Sequence, residues 1–129
     1  MHLQQSGEDY LETIYILDKK TKYVRSVDIA TELGYSKPSI SRAVKILAKN
    51  NYIIVKDDGQ IVLTDIGLER AKNIYKRHLL ITEFLTNILL VSKEVAENDA
   101  CKIEHIISDE TYLKLKDFVD NYNNLNNKI

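Results

Sequence analysis

The chain has 129 residues, with one cysteine, one proline, four glycines and no tryptophan. A lone cysteine allows no intrachain disulfide and suits a reducing compartment, which excludes the small disulfide-stapled secreted folds. No apolar run approaches the roughly 18–20 residues needed to cross a bilayer. The polar stretch from Met1 to Glu8 does not read as a signal peptide, so a cytoplasmic location is expected. There is no glycine-rich catalytic segment. What is present is a hydrophobic fraction of 44%, enough for a packed core and for one domain, or one small domain with a dimerising extension.

The net charge of −1 argues at first against a nucleic-acid partner. Its distribution argues the other way. Between Gly34 and Lys56 lie Lys37, Arg42, Lys45, Lys49 and Lys56, with no acid among them. Between Ser92 and Asp120 four lysines face eight acids. A basic module followed by an acidic one suggests an anionic partner for the first and a cationic one for the second. The plainer alternative is two ordinary solvated faces.

Periodicity divides the chain into a mainly α order with one small β-hairpin. Asp9–Lys19 reads as helix, with an apolar stripe at Tyr10, Leu11, Ile14, Tyr15 and Leu17. A short helix follows over Val27–Leu33, with Ser26 as its expected N-cap and Gly34 where a left-handed residue is wanted. The third helix starts at Ser36 and tolerates Pro38 in its first turn. Ile40, Val44, Leu47 and Ala48 face the core, and Pro38, Arg42, Lys45 and Lys49 lie opposite. Two β-rich runs, Tyr52–Val55 and Gln60–Leu63, flank the turn signal Asp58-Gly59. Thr64 is the expected cap of a long helix whose apolar pattern runs from Leu68 to Leu90. A helix so long on so small a domain implies packing on a partner subunit. Lys93–Ile107 and Asp109–Tyr122 read as two more helices divided at Ser108, and the asparagine-rich tail Asn121–Ile129 is expected to fray.

Two helices joined by a tight turn and followed by a hairpin make a winged helix-turn-helix over residues 1–71, leaving a helical second part over 72–129. In such a module the second helix of the pair enters the major groove. Ser36, Pro38, Ser39 and Arg42 are then placed to meet base edges, and Lys37, Lys45 and Lys49 to meet phosphates. The wing, Lys56–Gln60, lies against the DNA backbone only if Asp57 and Asp58 turn away. The same pattern can also serve protein interaction, but the acid-free exposed face favours double-stranded DNA.

Cys101, Glu104 and His105 stand at i, i+3 and i+4 of one helix and project from one face. A thiolate, a carboxylate and an imidazole together suit a divalent transition metal. The bland alternative is a small buried cysteine beside a surface Glu–His pair. Asp9 and Glu12 form a second pair, equally readable as acids at a helix N-terminus. His78 is a third candidate, equally readable as a boundary histidine with one hydrogen bond.

These residues carry a resemblance. The chain resembles the diphtheria-toxin-repressor family of metal-dependent transcriptional repressors, in particular its short manganese-responsive branch. The matching segments are Glu8–Tyr15, Asp28–Ala30, Ser36–Arg42, Leu63–Gly67, Arg77–Leu80 and Ala100–Glu110, in the same order and spread over most of the chain. The resemblance implies an N-terminal winged helix, a helical dimerisation domain and metal bound between them. The family's metal positions fall on Asp9, Glu12, His78, Cys101, Glu104 and His105. It also implies a homodimer on an operator of inverted symmetry. The iron-responsive branch carries a further SH3-like domain, which this chain, ending at Ile129, is expected to lack.

Two departures bear on the metal. The iron branch tends to have methionine where this chain has Asp9, and a hard carboxylate there favours Mn²⁺. Position 101 is cysteine, as in the iron branch, where the manganese branch usually has a glutamate able to bridge two ions. The thiolate raises affinity for Fe²⁺, Co²⁺ or Zn²⁺. An accessory site with an acid one turn after the histidine also matches poorly, since Thr82 stands there and Glu83 lies off that face. The expected function is therefore a dimeric, metal-activated repressor of metal-homeostasis genes responding to Mn²⁺ or Fe²⁺, with Co²⁺ or Zn²⁺ as substitutes in vitro. The rivals are a metal-independent dimeric winged-helix regulator and an enzyme with Cys101 as nucleophile and His105 as base. The enzyme lacks a third orienting residue and an oxyanion loop.

Overall fold

The structure, a computed structural model, describes residues 5–127. The chain forms two compact units, one up to Asn73 and one from Ile74. The sequence reading had placed this division after residue 71.

In the first unit, helix α1 (Gln5–Thr21) buries Tyr10, Leu11 and Ile14. It ends where Lys22 turns left-handed at φ 56° and its N–H reaches the Asp18 carbonyl at 2.9 Å. Helix α2 (Ser26–Leu33) begins one residue earlier than its pattern suggested, so Ser26 is its first residue and Arg25 is the cap. The reason is Asp28, whose carboxylate accepts the Arg25 N–H at 2.9 Å and so closes the helix start around residue 25. Gly34, at φ 71°, ends the helix and donates to the Ala30 carbonyl at 2.8 Å, as a left-handed C-terminal glycine does. Helix α3 (Lys37–Lys49) is capped by Ser36, with Pro38 in its first turn. Ile40 and Leu47 are buried, Val44 and Ala48 partly so, and Pro38, Arg42, Lys45 and Lys49 are exposed.

Strands β1 (Ile53–Val55) and β2 (Ile61–Leu63) pair antiparallel, Ile53 opposite Leu63 and Val55 opposite Ile61. The strands are shorter than the apolar runs. The connection spans residues 56–60, closed by the Lys56 N–H on the Gln60 carbonyl at 2.8 Å, with Gly59 at φ 92°. The segment between α1 and α2 also joins this sheet, for the Ile61 N–H donates to the Val24 carbonyl at 2.7 Å. One cluster joins Leu11 and Ile14 of α1, Val24, Ile29 of α2, Ile40 and Leu47 of α3, Ile53, Ile61 and Ala71. Burial of these side chains is the dominant stabilising term of the unit.

Helix α4 (Asp65–Glu83) starts in this unit. Thr64 caps it as expected, its hydroxyl oxygen accepting the Gly67 N–H at 3.1 Å and its proton going to the Asn51 carbonyl at 2.6 Å. Arg70 pairs with Glu8 of α1 at 3.0 Å.

In the second unit α4 continues into a π-helical turn, Phe84–Ile88, and the chain breaks at Leu90, φ 62°. The long apolar pattern predicted an unbroken α-helix to residue 90. The Thr86 hydroxyl instead donates to the Thr82 carbonyl at 2.8 Å, and the Leu89 N–H closes on Phe84 at 3.1 Å, five residues back. Back-bonding of a hydroxyl to the carbonyl four residues earlier loosens and bends a helix, and the π-helical turn lies at this point.

Helix α5 (Lys93–Ile106) buries Ala96, Ala100 and Glu104, a stripe at four-residue spacing. Helix α6 (Asp109–Asn127) is capped by Ser108, whose hydroxyl accepts the Thr111 N–H at 3.1 Å. Phe118 meets Phe84 edge to face at 6.2 Å. The asparagine-rich stretch expected to fray is helical through Asn127. Asn123 donates to the Glu83 carboxylate at 3.0 Å, which ties it to α4. The last two residues of the expected tail lie outside the described residues. Among the described residues, no helix is long and apolar enough to cross a membrane.

Candidate metal centre and nucleic-acid interface

The second unit brings four of the expected metal residues together. His78 comes from the middle of α4, and Cys101, Glu104 and His105 come from the last two turns of α5. Nδ1 of His78 lies 3.0 Å from Oε2 of Glu104 and 3.8 Å from Sγ of Cys101. One donor atom from each of His78, Cys101 and Glu104 falls within 4.8 Å of the other two. Nε2 of His105 lies 3.3 Å from the other Glu104 oxygen, Oε1. The i, i+3, i+4 spacing on α5 creates this arrangement, and the four-residue stripe of Ala96, Ala100 and Glu104 holds that face inward.

The Glu104 side chain is completely buried, while Cys101 is exposed and His78 partly so. A buried carboxylate is costly unless it is paired or bound to a cation. Here Oε1 is buried and accepts no hydrogen bond among the described residues; the 3.3 Å approach of His105 lacks hydrogen-bond geometry. A fully buried carboxylate with one oxygen 3.0 Å from the His78 imidazole, itself 3.8 Å from the Cys101 thiol, and the other oxygen 3.3 Å from His105 is a donor cluster that fits a divalent ion. The mixed nitrogen, oxygen and sulfur donors fit first-row transition metals better than Mg²⁺ or Ca²⁺.

Asp9 and Glu12 belong to the first unit. They stand three residues apart on α1, both half-buried. Asp9 follows Glu8, whose pairing with Arg70 fixes that turn of α1 against α4 at 3.0 Å. Burial pushes the hydroxyl of the neighbouring Tyr10 above its ordinary range, Tyr35 and Asp9 add to this, and Arg42 partly opposes it.

On α3 the residues expected at the DNA lie on one end and one face. Ser36 and Ser39 engage each other: the Ser36 hydroxyl accepts the Ser39 N–H at 3.3 Å and donates to the Ser39 hydroxyl at 3.0 Å. They therefore set the helix start as well as standing where bases would be met. Lys37, Pro38, Arg42, Lys45 and Lys49 are all exposed. At the wing, the Tyr23 hydroxyl donates to Asp58 at 2.6 Å, and the Gln60 N–H donates to the same carboxylate at 3.0 Å. These bonds hold Asp58 below the usual carboxylate range, the Tyr23 bond contributing most.

Sequence reasoning missed two residues. Tyr23 lies between the first two helices, outside every pattern the sequence shows, and Arg77 enters only as the neighbour of His78. Arg77 binds the Ile107 carbonyl just past α5 and the Asp109 carboxylate at the start of α6. Neither partner is at helical spacing, so no local pattern announces them.

The comparisons with known proteins agree across the chain. Residues 2–61 match the iron dependent repressor N-terminal DNA binding domain, and residues 64–124 match the iron dependent repressor metal binding and dimerisation domain. An uncharacterized HTH-type transcriptional regulator of Methanocaldococcus jannaschii is 33% identical over 121 residues, covering 93% of this chain and 97% of that one. The HTH-type transcriptional regulator MntR of Bacillus subtilis is 36% identical over 114 residues, covering 88% and 80%. Among solved structures, the manganese regulator SloR superposes with a TM-score of 0.80 at 29% identity, covering 93% of this chain. The chain spans about half of that structure, 55% of its length. Matched in both halves and related over nearly its whole length, the chain belongs to the iron-dependent repressor family, whose members are metal-dependent transcriptional regulators and not enzymes.

Proposed function

We propose that this protein is a homodimeric repressor that binds operator DNA when loaded with Mn²⁺, with Fe²⁺ as the alternative effector, and so controls metal-homeostasis genes in the cytoplasm. Its metal-site residues are Asp9, Glu12, His78, Cys101, Glu104 and His105. The observation that carries the reading is the buried Glu104 carboxylate, with His78 and Cys101 beside it. A bound divalent ion supplies the positive charge and directional bonds that such a donor set lacks on its own. Without it, the buried acid has only the two neighbouring imidazoles, His78 at 3.0 Å and His105 at 3.3 Å, to set against its charge.

The MntR and SloR relatives support manganese, and so does the hard carboxylate of Asp9. Cys101 pulls the other way, toward Fe²⁺, Co²⁺ and Zn²⁺. Exposed apolar side chains on the second unit, among them Leu90, Val95, Leu113 and Leu125, support a subunit interface there. Two copies of α3 then meet two half-sites separated by about one helical turn of DNA, ~34 Å, or a multiple of it. In the first unit, Ser36, Pro38, Ser39 and Arg42 address bases, and Lys37, Lys45 and Lys49 address phosphates.

The test is operator binding titrated with Mn²⁺, Fe²⁺, Co²⁺ and Zn²⁺ in parallel, for the wild type and for Cys101→Glu. The expected outcome is metal-dependent binding, with Cys101→Glu moving the preference toward Mn²⁺. Operator affinity that is the same with and without metal would sink the reading. Linkage adds a second check: operator DNA must tighten metal binding by the factor by which metal tightens DNA binding.

A further inference from the structure

Arg77 makes three contacts that the donor set itself does not require. It precedes His78 on α4 and reaches the corner where α5 passes into α6. One guanidinium nitrogen, Nη1, donates to the carbonyl of Ile107 at 2.6 Å. The other, Nη2, pairs with the Asp109 carboxylate. The guanidinium carbon lies 5.3 Å from the centre of the Tyr112 ring. The Arg77 side chain is only 19% exposed while Asp109 is 89% exposed, so the part-buried bond to the Ile107 carbonyl is the shielded contact and the ion pair is open to water.

The geometry of that corner makes the contacts matter. Ile107 is the residue just past α5, with extended backbone at φ −70° and ψ 135°. Its carbonyl lies beyond the last intrahelical turn and needs an outside donor. Glu104 and His105 stand three and two residues before it. A planar fork that binds a carbonyl and a carboxylate at once fixes orientation as well as distance. Arg77 therefore ties the end of α5 to the turn of α4 that carries His78. Sliding α5 by one residue moves its side chains by ~1.5 Å along the axis and ~100° around it. The 3.0 Å and 3.8 Å approaches of Glu104 and Cys101 to His78 do not survive such a slip.

We propose that Arg77 is a positioning residue for the metal centre: through Ile107 and Asp109 it locks the register of α5 against α4 and so sets the spacing of the His78, Cys101 and Glu104 donors. This rests on the metal reading above. It adds a residue that touches no ion and still controls how well one is held.

The experiment uses the full-length protein with Co²⁺ as probe. Absorption from thiolate-to-cobalt charge transfer reports Cys101, and chelator competition gives the affinity. Supporting partners of metal ligands typically change affinity by about 10–100-fold, and Arg77→Ala is expected within that range, with a weakened or shifted thiolate band. Arg77→Lys keeps the charge but not the fork, and Asp109→Asn removes one partner only; both are expected between the wild type and Arg77→Ala. A purely structural role would lower the melting temperature and leave the cobalt spectrum alone. Wild-type affinity and spectrum in Arg77→Ala therefore overturn the proposal, however stable that variant is. If Arg77→Ala does not fold, wild-type values in both Arg77→Lys and Asp109→Asn overturn it. A wild type with no saturable Co²⁺ binding removes the metal reading and this inference together. A normal wild type with unchanged variants removes only the role of Arg77.

Discussion

His78 on α4 and Glu104 on α5 meet at 3.0 Å, and the Glu104 side chain is completely buried. The pair joins two helices through a charge that the interior does not favour. Glu104→Gln keeps the shape and removes the charge. The substitution is expected to weaken Mn²⁺ binding at least about ten-fold, ~1.4 kcal/mol. In the presence of chelator the same variant should melt at or above the wild-type temperature, because a buried carboxylate has been replaced by a neutral amide. Added Mn²⁺ raises the wild-type melting temperature by mass action and should raise that of the variant much less. Calorimetric melts with chelator and with Mn²⁺ check both statements. Equal metal-induced shifts in the two proteins would exclude Glu104 as a ligand.

Arg42 and Lys49 are both exposed cations on α3, yet different losses are expected from them. Arg42→Ala should weaken specific operator binding by about 1–3 kcal/mol and relax the preference at one base position. Lys49→Ala should weaken all sequences alike and reduce the steepness of the salt dependence by about one charge. Fluorescence anisotropy over a salt series, on the operator and on a scrambled duplex, separates the two. An unchanged base preference in Arg42→Ala would show that this side chain reads no base.

How far the chain explains itself differs between the two units. The α3 pattern was legible because Ser36, Pro38 and the Ile40–Leu47 stripe are local signals, each acting within one or two turns. The set Cys101, Glu104 and His105 was legible for the same reason, since helical spacing alone puts those side chains on one face. The Arg25 cap was not, because Ser26 carries the better N-cap side chain and the deciding atom sits on Asp28. The π-helical turn at Phe84 was hidden as well. It coincides with the Thr86 hydroxyl bonding the Thr82 carbonyl, and the apolar pattern of an α-helix runs through it undisturbed. Val24 joining β2, Tyr23 on Asp58 and Arg77 on Ile107 are pairings across 30 or more residues, which periodicity does not encode.

Tyr23 and Asp58 give the wing a pH signature. The 2.6 Å hydrogen bond holds Asp58 below its ordinary range and raises Tyr23 above its own. A carboxylate with a depressed folded-state pKa contributes stability that is present above its unfolded value and lost as pH falls through the folded value. The unfolded value is ~3.9, so the Asp58 part of the contact is intact at neutral pH and is lost in acid. Tyr23 is held neutral, so its part of the contact is present below ~10 and lost as pH rises through its raised value. In an NMR titration of the Asp58 carboxyl carbon, the midpoint should lie below ~3.9 in the wild type and move back toward it in Tyr23→Phe. Identical midpoints would show that the hydroxyl does not bind Asp58 in solution.

Gly67, in the first turn of α4, lies against the backbone at Tyr52. A Cβ built there would fall 2.0 Å from the Tyr52 carbonyl oxygen and 2.9 Å from its carbonyl carbon. Both obstacles are backbone, so no rotamer change relieves them. The Thr64 cap depends on the same approach, because its hydroxyl accepts from the Gly67 N–H at 3.1 Å and lies 3.1 Å from the Tyr52 carbonyl. In an open helix Gly→Ala stabilises by up to ~1 kcal/mol through helix propensity. Here the sign should reverse: overpacking costs about 1–3 kcal/mol, and loss of the cap about 1 kcal/mol more. Urea denaturation of Gly67→Ala should therefore show a lower midpoint with an unchanged slope. A midpoint equal to or above the wild type would mean that α4 does not sit this close to the start of β1.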